Sequence, residues 1–136
     1  MDPRLYSILL VDDDPADNFY HKIILEESEY VGSIQSVLNG QEAFSYLNNL
    51  IQAEQILPDL IFLDINMPKM NGFDFLDEFQ TLPASILDNC KIVMLSSSIH
   101  PADVEKAQKY PECIKYMNKP LSRASLGNLA DFIQQL

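Results

Sequence analysis

Four groups of residues in this 136-residue chain are of types that do chemistry when they stand at the ends of strands. Asp12, Asp13 and Asp14 follow the apolar run from Leu5 to Val11, and Asp64 ends the run "LIFLD", with Asn66 just beyond it. Ser96, Ser97 and Ser98 close "IVMLSSS", and Lys119-Pro120 comes shortly after Ile114 to Met117. Carboxylates brought together repel, so at least one pKa should rise unless a cation intervenes. A hard divalent ion is the natural counterweight. Mg²⁺ takes one or two carboxylates and keeps several waters. Asp13 and Asp64 could each supply an oxygen, and a backbone carbonyl just past Asp64 a third. No calcium loop of the DxDxDG kind is present. Beside such an ion, Asp64 can attack phosphorus and form an acyl phosphate. Transfer then asks for three equatorial oxygens to be held. The metal could take one, the Lys119 ammonium the second, and the Ser96 hydroxyl or nearby amides the third. Acids ahead of a helix also serve as caps, and that plainer use fits Asp14.

The elements that must position these groups alternate along the chain. Leu5 to Val11, Ile34 to Leu38, Leu60 to Leu63, Ile92 to Leu95 and Ile114 to Met117 are candidate strands. Most are apolar throughout, as strands covered on both faces are. Helical spacing follows: Ala16, Phe19, Tyr20, Ile23 and Ile24 after an Asp14-Pro15 start, and Ala43, Phe44, Leu47, Leu50 and Ile51 after Gly40. Leu126, Leu129, Ala130 and Ile133 repeat it after Ser122, which reads as a cap. Phe75 to Phe79 and Pro101 to Tyr110 are weaker helical segments. Gln52 to Pro58 and Thr81 to Asn89 read as loop extensions. The expected fold is α/β and doubly wound: a parallel sheet of five strands, each followed by a helix, with helices on both faces. In such a sheet the chemistry lies at the carboxyl ends of the strands, where the four groups fall.

Bulk properties narrow the class. A chain of this length supports one core, and residues 1–136 read as a single domain. No apolar run approaches the roughly 18 residues needed to span a bilayer, and no leader pattern precedes the first strand. A cytoplasmic protein is expected. Twenty acids against nine Lys and Arg give a net charge of −11, which argues against direct nucleic-acid binding and against anionic membranes. Cys90 and Cys113 fit no metal or redox spacing and are expected as buried or half-buried thiols. His21 and His100 are expected at the surface.

Taken together, "ILLVDDDP", "NGQEAFSYL", "LIFLDINMPKMNG", "IVMLSSS" and "YMNKPLS" resemble the receiver domains of two-component response regulators, of the stand-alone, chemotaxis-regulator-like type. The likeness runs from about Leu5 to Leu136 and implies a flavodoxin-like doubly wound sandwich, its five-stranded parallel sheet in the order 2-1-3-4-5. It implies that Asp64 is the phosphoacceptor, that Asp13 ligates Mg²⁺ directly and Asp12 through water, and that the Asn66 carbonyl completes the protein ligands. Lys119 would bind the phosphoryl group, and its bond to Pro120 is often cis in the family. Ser96 would be the hydroxyl that moves toward that group, with Tyr116 as the aromatic that swings inward. Asn66 and Ser98 would tune how long the phosphate survives. The phosphodonor would be a phosphohistidine on a sensor kinase or a histidine phosphotransfer protein. Phosphorylation would reshape the face built from Pro101 to Tyr110, Ile114 to Met117 and Ser122 to Leu136.

The resemblance also implies a signalling domain, not an enzyme with a separate substrate: it would catalyse only its own phosphotransfer and slow autodephosphorylation. No output-domain pattern follows the last helix, so the expected output is an unidentified downstream protein, with homodimerisation left open. A haloacid-dehalogenase-like phosphatase would need a second acid where Asn66 stands. A flavodoxin would need a phosphate cradle where "DDDP" stands, and a histidine phosphotransfer module would lack strands. The alternative is a pseudo-receiver that binds partners without phosphorylation, against which the intact Asp13, Asp64 and Lys119 weigh.

Overall fold

A computed structural model describes residues 5–67, 70–97 and 100–134, with side chains described to residue 128. Its elements are β1 (Tyr6–Val11), α1 (Pro15–Glu26), β2 (Val31–Val37), α2 (Gly40–Gln52), β3 (Leu60–Asp64) and α3 (Gly72–Phe79). There follow α4 (Ala84–Asn89), β4 (Lys91–Ser96), α5 (Pro101–Ala107), β5 (Cys113–Asn118) and α6 (Arg123–Gln134). The strands form one parallel sheet in the order β2-β1-β3-β4-β5, as the near-continuous apolar runs require. Successive residues of each central strand point to opposite faces, so each strand feeds two cores. Leu9, Val11, Ile61, Leu63, Ile92 and Met94 pack with Ala43, Leu47, Leu76 and Phe79. Ile8, Leu10, Phe62, Val93 and Leu95 pack with Leu25 and Leu121 on the other face.

The strand order reverses between β1 and β3, and there the crevice at the carboxyl edge opens. Caps fix where the helices begin beside it. Asp14 accepts from the Ala16 N–H at 2.9 Å with Pro15 in the first turn, and Asn39 accepts from Glu42 at 2.8 Å. Ser122 accepts from the Ser125 N–H at 3.1 Å ahead of α6. Asn71 and Asp74 form a reciprocal capping box at the start of α3.

Three expectations need correction. Thr81 to Asn89 is not a plain loop: it holds α4, whose Ile86 and Leu87 lie half-buried against the core. On α1, most of the apolar stripe faces outward, with Phe19 67% exposed and Tyr20 and Ile23 also exposed, while Ile24 lies half-buried against the core. The buried face is instead Asn18, His21 and Leu25, which also moves His21 from the surface to the interior. The reason is visible at Asn18. Its amide donates to the carbonyls of Asp12 and Val37, both at 3.1 Å, and so ties α1 to the ends of β1 and β2. Polarity marks a solvent face only where no buried carbonyl is waiting for a donor.

The α1 orientation is open to a paired test. Asn18→Ala should lower stability by about 1–3 kcal/mol, because the buried Asp12 carbonyl loses its Asn18 donor and the Val37 carbonyl keeps only the Asp12 N–H. Phe19→Ala, on the neighbouring exposed position, should change it by less than about 0.5 kcal/mol. Urea denaturation of the two variants checks both.

Candidate functional site

Asp12 is the first residue past β1, with its backbone N–H on the Val37 carbonyl at 3.2 Å. Its Oδ1 accepts the Asp14 N–H at 3.0 Å, which turns the chain out of the sheet and leaves Asp13 exposed at the rim. Asp64 is the last residue of β3. The chain then folds back on itself: the Gly72 N–H donates to the Ile65 carbonyl at 2.9 Å. A β-carbon at Gly72 would lie 2.9 Å from the Asp64 carbonyl oxygen and 3.0 Å from Ile65 Cα. Only glycine permits α3 to begin that close to the strand that carries Asp64. Asn66 is exposed, and its N–H donates to Asp64 Oδ1 at 3.2 Å.

The other half of the site comes from β4 and β5. Ser96 is the buried last residue of β4, and its carbonyl accepts the Lys119 N–H at 2.8 Å. The Lys119-Pro120 bond is cis, and Leu121 beyond it is fully buried. Lys119 is thus anchored on both sides, and its ammonium reaches into the crevice. It lies 2.5 Å from Asp12 Oδ2, 3.1 Å from Asp17 Oδ2 and 3.4 Å from Asp64 Oδ2. Asp17 was not singled out in the sequence. Its signal was its place three residues after the capping Asp14, in the one turn of α1 that overhangs the crevice.

Carboxylate oxygens of Asp12, Asp13 and Asp64 lie within 4.8 Å of one another, with Asp12 and Asp64 buried. Burial, and then the charge of Asp12, push the Asp64 carboxyl up to about 6, against the pull of Lys119. The expected rise is therefore present, although a cation is already in place. Burial lowers the pKa of the Lys119 ammonium, but its bond to Asp12 and the nearby negative charges more than offset this and raise it. Three carboxylates, Asp17 included, face one ammonium, and Asp13 stands beside two of them. A hard divalent ion fits this all-oxygen, electron-rich set, and thiol or imidazole ligands are missing from it.

Tyr116 sits half-buried on β5. Its hydroxyl is sealed from solvent, close enough to Ser96 to feel it but outside hydrogen-bond geometry. Burial raises the phenol, and the Ser96 side chain pulls it partly back. Ser98 lies outside the described residues. Cys90 is buried and Cys113 half-buried, and burial holds both thiols high, at about 11 and 12. Burial lowers the pKa of His21, with Asp12 opposing. His100 is exposed.

The family model of the response regulator receiver domain matches residues 8–131. The chain belongs to the response regulator receiver domain family. A two-component response regulator from Cytophaga hutchinsonii has the same structure with a TM-score of 0.89 and 34% identity, over 98% of this chain and 99% of that one. The phosphorylated cyanobacterial phytochrome response regulator RcpA matches with a TM-score of 0.74 and 30% identity, over 96% and 92% of the two chains. The nitrate/nitrite response regulator NarL of Escherichia coli is 34% identical over 103 residues, which is 76% of this chain and 43% of that protein. The chain spans about half the length of the first curated relatives it matches, or less. As a receiver domain it is a signalling domain of two-component systems. Among its described residues no helix is long and apolar enough to cross a membrane.

The receiver's raised Asp64 pKa has a consequence for stability. Its folded value, about 6, lies above the ordinary carboxylate value of 3.8. The native state therefore holds the proton more tightly than the unfolded chain between those values. Without divalent ions, stability should fall by on the order of 2 kcal/mol as pH rises from about 4 to about 6.5. Asp64→Asn should flatten that fall and be more stable than wild type at pH 7. Urea denaturation as a function of pH, with a chelator present, measures both.

Proposed function

We infer that this receiver accepts a phosphoryl group on a carboxylate oxygen of Asp64 from a phosphohistidine of a sensor kinase or a histidine phosphotransfer protein. The observation that carries the reading is Asp64 at the tip of β3, 3.4 Å from the Lys119 ammonium and clustered with Asp12 and Asp13. At neutral pH Asp64 is mostly ionised, since about 6 lies below 7, and an ionised carboxylate is the nucleophile required. The new bond joins its oxygen to phosphorus. The phosphorus–nitrogen bond of the donor breaks, and its electron pair stays on the imidazole.

Asp13, Asp64 and the Asn66 carbonyl are the residues that would hold Mg²⁺ directly, with Asp12 acting through water; the ion would neutralise charge on the transferring group. Lys119 donates to a second phosphoryl oxygen, and the Ser96 hydroxyl, already at the end of β4, donates to a third. Asn66 and Ser98 would tune how long the acyl phosphate survives. Catalysis here is the domain's own phosphotransfer and slow autodephosphorylation.

The acyl phosphate carries a charge of about −2 where the carboxylate carried −1, and it sets strong acceptors beside Lys119 and Ser96. Ser96 is drawn toward it, and Tyr116, whose buried hydroxyl already lies near Ser96, follows. The surface that changes is α5, β5 and α6, the fourth helix of the usual receiver pattern being α5 here because α4 is additional. That face would engage a downstream protein, or a second copy of the receiver. The strongly acidic surface disfavours DNA and anionic lipid as direct ligands. In this reading residues 1–136 act as one cytoplasmic receiver unit that signals through a protein partner.

Incubation with Mg²⁺ and acetyl phosphate should add the mass of one phosphoryl group to the wild type and none to Asp64→Asn. Intact-mass spectrometry reads the result. No gain in the wild type, under conditions that label a control receiver, would leave the domain a phosphorylation-independent binding module. A gain that persists in Asp64→Asn would place the acceptor elsewhere.

A further inference from the structure

We propose that Asp17 is a positioning residue that competes with the incoming phosphoryl group for the Lys119 ammonium and thereby holds down the rate of phosphorylation. The proposal rests on the reading of Asp64 as phosphoacceptor. An ammonium has three hydrogens to donate, and in the unphosphorylated domain three carboxylates surround it: Asp12 at 2.5 Å, Asp17 at 3.1 Å and Asp64 at 3.4 Å. A phosphoryl oxygen can be met only if one of these contacts yields.

Asp17 is the partner placed to yield. The side chains of Asp12 and Asp64 are 4% and 5% exposed, whereas that of Asp17 is 42% exposed and water can take over its hydration. Asp17 also stands apart in origin: it comes from the first turn of α1, not from a strand end. Its carboxylate belongs to no cluster of potential metal ligands among the described residues. What it does in the site, it does through Lys119.

The kinetic consequence follows from when the contact breaks. In the resting domain Lys119 donates to Asp17, and in the transition state of phosphorylation it donates to phosphorus-bound oxygen. Breaking the first contact therefore adds to that barrier. Once Asp64 is phosphorylated, Lys119 has already moved, in the ground state of hydrolysis as well as in its transition state. Removing Asp17 should then speed phosphorylation and leave autodephosphorylation nearly unchanged. The acceleration should be about three- to tenfold, the range of one part-exposed charged hydrogen bond.

The test compares wild type, Asp17→Asn and Asp17→Ala with acetyl phosphate and saturating Mg²⁺, followed by intact mass. A small donor is used so that binding of a donor protein does not enter. Asp17 caps no helix end and is half-exposed, so both variants should fold, which thermal melting verifies. Expected are phosphorylation about three- to tenfold faster in Asp17→Ala, a smaller gain in Asp17→Asn, which keeps a neutral acceptor, and autodephosphorylation within about twofold of wild type. The gain should persist at about 0.5 M salt, where long-range repulsion of an anionic donor is screened but a direct contact is not. An unchanged or slower rate overturns the proposal, as does a gain that vanishes in salt or one matched by equally faster hydrolysis. If the wild type is labelled but Asp17→Ala gains nothing, only the role of Asp17 falls. If neither protein is labelled, the phosphoacceptor reading falls with it.

Discussion

Three carboxylates, those of Asp12, Asp13 and Asp64, are forced within 4.8 Å of one another where β1 and β3 end, and their repulsion sets the terms for everything around them. The sheet makes the meeting unavoidable, because β1 and β3 are hydrogen-bonded neighbours in parallel register and both run out at the same edge. Lys119 relieves part of the repulsion but not all of it, since Asp64 still holds its proton up to about 6. A site with that much uncompensated negative charge is built to receive positive charge. It is stable only by virtue of the two cores beneath it, which the fully buried runs of β1, β3 and β4 supply.

The backbone around the cluster serves to hold it against that repulsion. Asn18 pins the Asp12 carbonyl to α1, Gly72 lets α3 close over the end of β3, and the Ser96 carbonyl fixes the Lys119 amide. Each of these restraints is uncharged and local, so none is weakened when charge is added or removed at the cluster. What remains free to respond is the set of side chains that carry the charge, above all the Lys119 ammonium. A change in its partners reaches α1 through Asp17 and reaches β4 through the Ser96–Lys119 backbone contact.

Most of the fold was legible because strands covered on both faces leave an unmistakable apolar run, and because Asp14-Pro15 and Ser122 mark helix starts chemically. The strand-end residues Asp12, Asp13, Asp64, Ser96 and Lys119 were legible for the same reason: they interrupt or follow those runs. What escaped is the face of α1. Phe19, Tyr20 and Ile23 have the spacing of a buried stripe, yet Asn18 and His21 are buried in their place. A pattern of polarity cannot reveal that the strand ends offer carbonyls to an amide. Once α1 is turned that way, Asp17 necessarily overhangs Lys119, which is why this contact was hidden along with the orientation. The helix at Ala84–Asn89 escaped because six residues carry too little periodicity to stand out from a loop.

The most direct measurement of the unrelieved charge at the cluster is thermal unfolding of wild type and Asp13→Asn across a Mg²⁺ titration at pH 7. The wild type should gain stability that climbs with the logarithm of Mg²⁺ concentration above its dissociation constant, by about 2.7 kcal/mol at a hundredfold excess. Asp13→Asn should lose most of that gain while folding normally in chelator. A wild type indifferent to Mg²⁺, or a variant that gains as much as the wild type, would contradict the assignment of these carboxylates as the seat of a divalent ion.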